Sequence, residues 1–232
     1  MHLELGVGVA HVWCATLPSE LNQDSSYWQV LSVDEKKRAE KLQHVKSQRV
    51  FVYTRSILRQ LLARYLFITP ENILFSVTPS GKPFLVKEQN LPSIEFNLSH
   101  SGDSILFAFA REHSIGVDVE RIRSKVNYLD IAKRFFSAAE VVALNALPED
   151  EKITAFFHCW SRKEAVIKAL GKGLAHQLDS FSVSIDRKEK NWQLSGILPK
   201  QLWSLFTLDI NPEYAAALAV MGDICKVEVR KL

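Results

Sequence analysis

The chain has 232 residues, a length that fits one large domain or two small ones. Hydrophobic residues make up 47% and charged residues 24%, which excludes wholesale disorder, collagen and coiled coil. The formal net charge is only +3, from 29 basic and 26 acidic residues, so the total gives no case for a nucleic-acid partner, although basic residues cluster between Lys36 and Arg64.

The longest apolar runs, residues 105–110 and 215–221, fall well short of the ~20 residues of a membrane span, and no membrane association is expected. The start, Met1-His2-Leu3-Glu4, has neither a basic region nor a long apolar stretch, so no signal peptide is expected. The three cysteines, Cys14, Cys159 and Cys225, are far apart and odd in number; they read as reduced thiols of a cytoplasmic protein.

In chain order, residues 3–17 read as an opening strand or strand pair. Ser32-Val33-Asp34-Glu35 is a capping box that opens a basic helix over 33–44. A second helix is predicted over 46–67, with Val50, Ile57, Leu58, Leu61, Leu62, Tyr65 and Leu66 as its apolar stripe and Thr69-Pro70 as its stop. Short strands follow at 73–77, 83–86, 94–98, 105–110 and 115–120. A helix over 128–136 precedes a second capping box at Ser137-Ala138-Ala139-Glu140. A long helix is predicted over 149–170, ended by Gly171 in a left-handed conformation. The remainder alternates as strands at 181–185, 192–198, 205–210, 215–221 and 226–229. Helices and strands without strict βαβ alternation predict an α+β fold. We expect two similar halves, residues 1–111 and 112–232, packed side by side with a ligand cleft between them.

The sharpest chemical feature is Ile115-Gly116-Val117-Asp118-Val119-Glu120. Strand side chains alternate, so Ile115, Val117 and Val119 point to a core while Gly116, Asp118 and Glu120 share the other face. Two carboxylates on one face repel each other, and a hard divalent cation such as Mg²⁺ would remove that repulsion. The other reading is an edge strand with a solvated acidic face. On the long helix, Trp160, Glu164 and Lys168 lie at i, i+4 and i+8 and share one face. They form either an ordinary surface pair or a carboxylate that ligates or acts as base beside a phosphate clamp. Gly171-Lys172-Gly173-Leu174 reads as a helix terminator or as a basic loop at a phosphate site; it is too short and wrongly placed for a P-loop. In Phe96-Asn97-Leu98-Ser99-His100-Ser101-Gly102, Ser99 and His100 offer a hydroxyl, an imidazole and backbone donors to an anion, or simply build a turn. Gly81-Lys82-Pro83 sets a lysine and a rigid backbone before a strand. The isolated His11, His44, His158 and His176 read as structural or surface residues, and Cys159 as packing.

Taken in this order, Gly81 to Pro83, Phe96 to Ser101, Gly116 to Glu120 and Trp160 to Lys168 resemble the Sfp-type 4′-phosphopantetheinyl transferases, over about residues 32–221. The resemblance implies two α+β halves with coenzyme A bound between them. It implies transfer of the phosphopantetheine arm to a serine of an apo acyl or peptidyl carrier protein, releasing adenosine 3′,5′-bisphosphate. Asp118, Glu120 and Glu164 would hold Mg²⁺, with Mn²⁺ as a substitute, and Glu164 is also the candidate base. Lys168 would contact the pyrophosphate. Ser99 and His100 would hold nucleotide phosphate, and Lys82 and Pro83 would border the adenine. Arg49, with Arg38 and Lys41, would face the 3′-phosphate. Lys133, Arg134, Phe135 and Phe136 match a segment on the acceptor side, where basic charge would steer an acidic carrier and the rings would anchor it or serve as core. One chain can supply a whole site, so a monomer is expected. The alternative is a module that binds coenzyme A or a carrier without chemistry, which the full set of carboxylates disfavours.

Overall fold

The computed structural model of the chain describes residues 3–23, 25–79, 81–86, 93–171, 178–196 and 202–232. Local signals set the helices. Ser32 accepts from the Glu35 amide and Glu35 returns to the Ser32 amide, opening α2 (Val33–Glu40); Ser137 and Glu140 repeat the arrangement before α5 (Ala138–Ala146). Helix α3 (Val45–Leu66) follows α1 (Ser26–Gln29) and α2, and α4 (Tyr128–Phe135) precedes α5. Pro148 and Gly171 bracket α6 (Glu149–Leu170), and Gly171 takes φ 68°, the left-handed conformation that ends the helix.

The strands make two main sheets. In the first, β1 (Val9–Thr16) lies between β5 (Ser104–Arg111), antiparallel, and β11 (Lys226–Lys231), parallel; β4 (Ile94–Ser101) pairs with the far side of β5. In the second, β10 (Tyr214–Met221) lies between β6 (Ile115–Arg121) and β9 (Trp203–Thr207), both antiparallel. Two small ribbons, β2–β3 (Phe75–Val77 and Pro83–Leu85) and β7–β8 (Phe181–Val183 and Leu194–Gly196), complete the described strands.

Strand alternation turns this into four layers. Ile105, Phe107 and Phe109 face α3 and pack with Leu58, Leu61, Leu62 and Tyr65. Leu106, Ala108 and Ala110 face the other way and meet Ile115, Val117 and Val119 of β6 and Leu218 and Val220 of β10, so the two sheets share a dry middle layer. The outer face of the second sheet carries Ala215, Ala217 and Ala219 against α6. The fold is α+β, as the element pattern predicts.

Several expected boundaries move. The opening strand begins at Val9, although Leu3 and Leu5 are buried ahead of it. The strand expected over 73–77 shortens to Phe75–Val77, because Pro70 starts a 3₁₀ turn over Pro70–Asn72. The basic helix stops at Glu40 rather than 44. The end of the strand expected over 192–198 and Lys172 to Leu174 of the glycine-rich loop lie outside the described residues. Strand β11 crosses from the end of the chain to pair with β1, so the first sheet is completed by residues beyond position 112. Among the described residues, no helix is long and apolar enough to cross a membrane.

Candidate active site

The site is built around the free edge of β6. Its other edge pairs with β10, and β4 supplies side chains in place of a neighbouring strand. Asn97, Ser99 and Ser101 alternate on one face of β4; Asn97 Oδ1 accepts from the Val117 amide at 2.9 Å, and Ser101 Oγ from the Arg121 amide at 3.0 Å. Ser99 Oγ accepts from the Val119 amide between them at 3.4 Å. The Asn-Ser-Ser pattern thus satisfies backbone donors that an edge strand leaves open.

The same serines reach the carboxylates. Ser99 Oγ donates to Asp118 Oδ1 at 2.9 Å, and Ser101 Oγ donates to Glu120 Oε2 at 2.9 Å. Helix α6 closes the other side. A Cβ on Gly116 would collide with the Ala165 carbonyl oxygen and the Ala169 amide nitrogen, so only glycine lets the helix backbone settle on β6 here. At that approach Lys168 Nζ donates to Asp118 Oδ1 at 2.6 Å, to Ser99 Oγ at 2.9 Å and to the Val117 carbonyl at 3.3 Å.

Asp118 is 3% exposed, which rules out the solvated acidic edge. Its second oxygen, Oδ2, is buried and has no hydrogen-bond partner. Burial pushes the Glu164 carboxyl up to about 7, with the charges of Asp118 and Glu120 adding to the rise against the opposing pull of Lys168. Burial, and then the Asp118 charge, also raise Glu120. Three carboxyl groups thus sit close enough to destabilise one another's charge. Among the described residues, no trio of His, Cys, Asp or Glu side chains stands in a ligating arrangement, and the Lys168 ammonium lies on one Asp118 oxygen. An orphaned buried oxygen and mutually repelling acids nonetheless fit a hard divalent cation held by Asp118, Glu120 and Glu164.

Glu164 and Lys168 open onto a cavity of about 760 Å³ between the α2–α3 side and α6. Its walls carry Arg38, Lys46 and Arg55 from the helices, His100 from β4, and Gly81, Lys82 and Pro83 from the β2–β3 ribbon. Phe51 lies on the same wall, with the Arg38 guanidinium 5.1 Å from its ring centre and that of Arg55 5.9 Å away. Burial and the Lys168 charge depress the His100 imidazole. Cations on the walls suit a polyanionic ligand, and the acids at one end suit it only with a divalent cation between them and the ligand.

The structure gathers Lys82, Pro83, His100, Asp118, Glu120, Glu164, Lys168 and Arg38 in or beside this cavity. It does not bring Arg49 there: the Arg49 guanidinium donates to the Ser19 carbonyl and lines a separate small pocket. Lys41 is exposed at the end of α2 and lines no part of the cavity. Lys46 and Arg55 of α3 line the cavity instead, because Arg49 lies on another face of the helix. Ser99 is turned inward and held by Asp118, Lys168 and the Val119 amide. Lys82 lines the cavity with its stem, while its ammonium donates to the Lys168 carbonyl at 2.7 Å and the Ile115 carbonyl at 3.1 Å. Of the two rings near Lys133 and Arg134, Phe136 is core, and Phe135 packs edge-on against Trp160 at 5.7 Å.

Two family models match the chain. Residues 114–219 match the 4′-phosphopantetheinyl transferase superfamily, and residues 18–112 match the N-terminal part of a 4′-phosphopantetheinyl transferase. The 4′-phosphopantetheinyl transferase HetI of Nostoc sp. is 33% identical over 91% of this chain and 87% of its own length. The 4′-phosphopantetheinyl transferase Sfp of Bacillus subtilis is 32% identical over 87% of each chain. The crystal structure of a Thermotoga maritima holo-[acyl-carrier-protein] synthase is similar with a TM-score of 0.38 and 20% identity, over 47% of this chain and 63% of that one.

Proposed function

This chain belongs to the 4′-phosphopantetheinyl transferase family, and on that premise we propose that it moves the phosphopantetheine arm of coenzyme A onto a serine of an apo acyl or peptidyl carrier protein. One observation carries the reading: three carboxyl groups and Lys168 meet at the end of a cavity whose walls are basic. Simple anion holding needs cations alone, and buried acids beside them suit a divalent cation placed against a pyrophosphate. Asp118, Glu120 and Glu164 would hold Mg²⁺, or Mn²⁺ in its place. Bound there, the ion would supply charge neutralisation on the pyrophosphate.

The protein's own part is positioning and electrostatics. Arg38, Lys46, Arg55 and His100 receive the nucleotide phosphates, and Lys82 and Pro83 form the wall beside the base. Lys168 turns its ammonium to the pyrophosphate, in a site dry enough for one charge to count. The carrier serine oxygen bonds to the β-phosphorus, the bond from that phosphorus to the bridging oxygen breaks, and adenosine 3′,5′-bisphosphate leaves. The serine proton goes to Glu164, the one of the three acids that lines the cavity. Lys133 and Arg134 on α4 steer the acidic carrier. The two lobes divide near residue 112, with β11 returning to the first, and one chain suffices as the working unit.

The test is the intact mass of an apo carrier protein after incubation with this protein, coenzyme A and Mg²⁺. A gain of one phosphopantetheine, abolished by EDTA and by Asp118→Ala, is the expected result. An unchanged carrier mass with the parent protein contradicts the assignment and leaves a coenzyme A binding module.

A further inference from the structure

Beside Glu164, helix α6 meets the second sheet through small side chains: Ala165 and Ala169 lie on Gly116, and Ala215, Ala217 and Ala219 belong to the same cluster, whose bulkier members include Phe156, Phe157 and Leu205. Small side chains permit close approach, but they provide no knobs and holes to fix how far the helix slides or rotates. A slip of one residue moves a helical side chain about 1.5 Å along the axis and 100° around it. Such a slip would carry Glu164 away from Asp118 and Glu120. Directional bonds next to Glu164 would hold it more finely than apolar packing at the ends of the helix.

Lys163, the neighbour of Glu164, is fully buried, and so is its partner Glu140 of α5 at 2% exposure. The Lys163 ammonium donates to Glu140 Oε2 at 2.8 Å, to the Leu178 carbonyl at 2.8 Å and to the Phe181 carbonyl at 2.7 Å. Glu140 accepts in turn from the Ser137 amide at 2.7 Å and the Val183 amide at 2.8 Å. All three protons of the ammonium have acceptors, and both carboxylate oxygens have donors. The acceptors come from α5 and from the segment leading into β7, so the pair ties α6 to two other elements. Arg162 adds bonds to the Ser184, Asp186 and Glu189 carbonyls on the other side.

A buried ion pair is a poor source of stability, since well-packed apolar groups of similar volume commonly do as well or better. Its directional bonds supply what the alanine surface lacks. We infer that the Lys163–Glu140 pair is the positioning device for Glu164: it fixes the slide and rotation of α6, and so where the Glu164 carboxyl stands against Asp118 and Glu120. Lys163 is a positioning residue, since it touches neither the cavity nor the acids. The inference rests on the role of Glu164 proposed above.

Two variants test it, each checked for folding by urea denaturation. E140M/K163M replaces the pair with apolar side chains of similar length, and E140D keeps both charges while shortening the link by one methylene. The unfolding midpoint of E140M/K163M should fall, because the Ser137 and Val183 amides and the Leu178 and Phe181 carbonyls lose their partners, so its kinetics and metal binding are read on the folded fraction. Its kcat should fall on the order of tenfold to hundredfold, because small displacements of a reacting group have effects of that size. KM for coenzyme A, set by the cavity walls, should stay within about twofold. E140D should show the same split to a smaller degree. Mn²⁺ affinity, read by electron paramagnetic resonance without turnover, should fall in both. Parental kcat and parental Mn²⁺ affinity in either folded variant overturn the inference. A parent that leaves the carrier unmodified overturns the proposed function instead, and the Mn²⁺ arm still decides whether the pair positions Glu164.

Discussion

Helices α3 and α6 are both 22 residues long and each covers one sheet, yet they dock in opposite ways. Helix α3 sets Leu58, Leu61, Leu62 and Tyr65 against Phe107 and Phe109, a bulky layer that holds helix and sheet apart. Helix α6 sets alanines against glycine and alanines, so its backbone lies almost on the strand. Only the second mode lets Lys168 span from the helix to Asp118. The chemistry sits where α6 and β6 meet through small side chains.

The largest effect is expected from closing the thin interface. Gly116→Val sets a branched side chain against the Ala165 carbonyl and the Ala169 amide, and turnover should fall by at least about hundredfold as α6 lifts from β6. Steady-state kinetics on the folded fraction checks it. Opening the thick interface should act differently. Leu58→Ala removes a fully buried side chain and should cost about 2–5 kcal/mol in urea unfolding. Its KM for coenzyme A should stay close to the parent value, because the cavity end is built by other contacts.

A smaller effect, confined to pH, is expected behind α3. His11 on β1 is buried against Tyr65, with 2.7 Å between Nδ1 and the phenol oxygen, and Nε2 accepts from Arg230 of β11 at 3.2 Å. Burial, then the Arg230 charge, depress the imidazole to about 4, against the opposing pull of Glu228. Above its ordinary value near 6.5 the ring is neutral folded or unfolded, and it contributes no slope. Between there and about 4 the unfolded chain takes up a proton that the folded protein refuses, so stability falls with pH by an amount on the order of 2–3 kcal/mol. Urea unfolding at pH 7.5 and 4.5, compared between the parent and His11→Gln, isolates this contribution: the parent should lose more stability, or gain less, than the variant, because Glu164 and His158 titrate alike in both.

What the sequence makes legible follows the range of the interactions. The two capping boxes and the end of α6 are local, written in Ser32, Glu35, Ser137, Glu140 and Gly171, and they appear where their spacing places them. The acids Asp118, Glu120 and Glu164 are marked by periodicity, since two share a strand face and the third lies on the helix face with Lys168. The basic wall is not legible in this way. Arg49, Arg55 and Lys46 lie on one helix, and which of them meets the cavity depends on how α3 is rotated against the sheet. The partners of Lys163 are equally hidden, because Glu140 lies 23 positions away and also completes a capping box that accounts for it locally. The parallel pairing of β11 with β1 joins opposite ends of the chain and leaves no local trace.

The most direct test of the central claim is the binding of Mn²⁺ in the presence of coenzyme A, followed by electron paramagnetic resonance, for the parent and for Asp118→Asn, Glu120→Gln and Glu164→Gln. Convergence of the three acids on one cation predicts a single bound ion per chain and a loss of affinity of about tenfold or more in each variant. Binding that is indifferent to all three substitutions would contradict it.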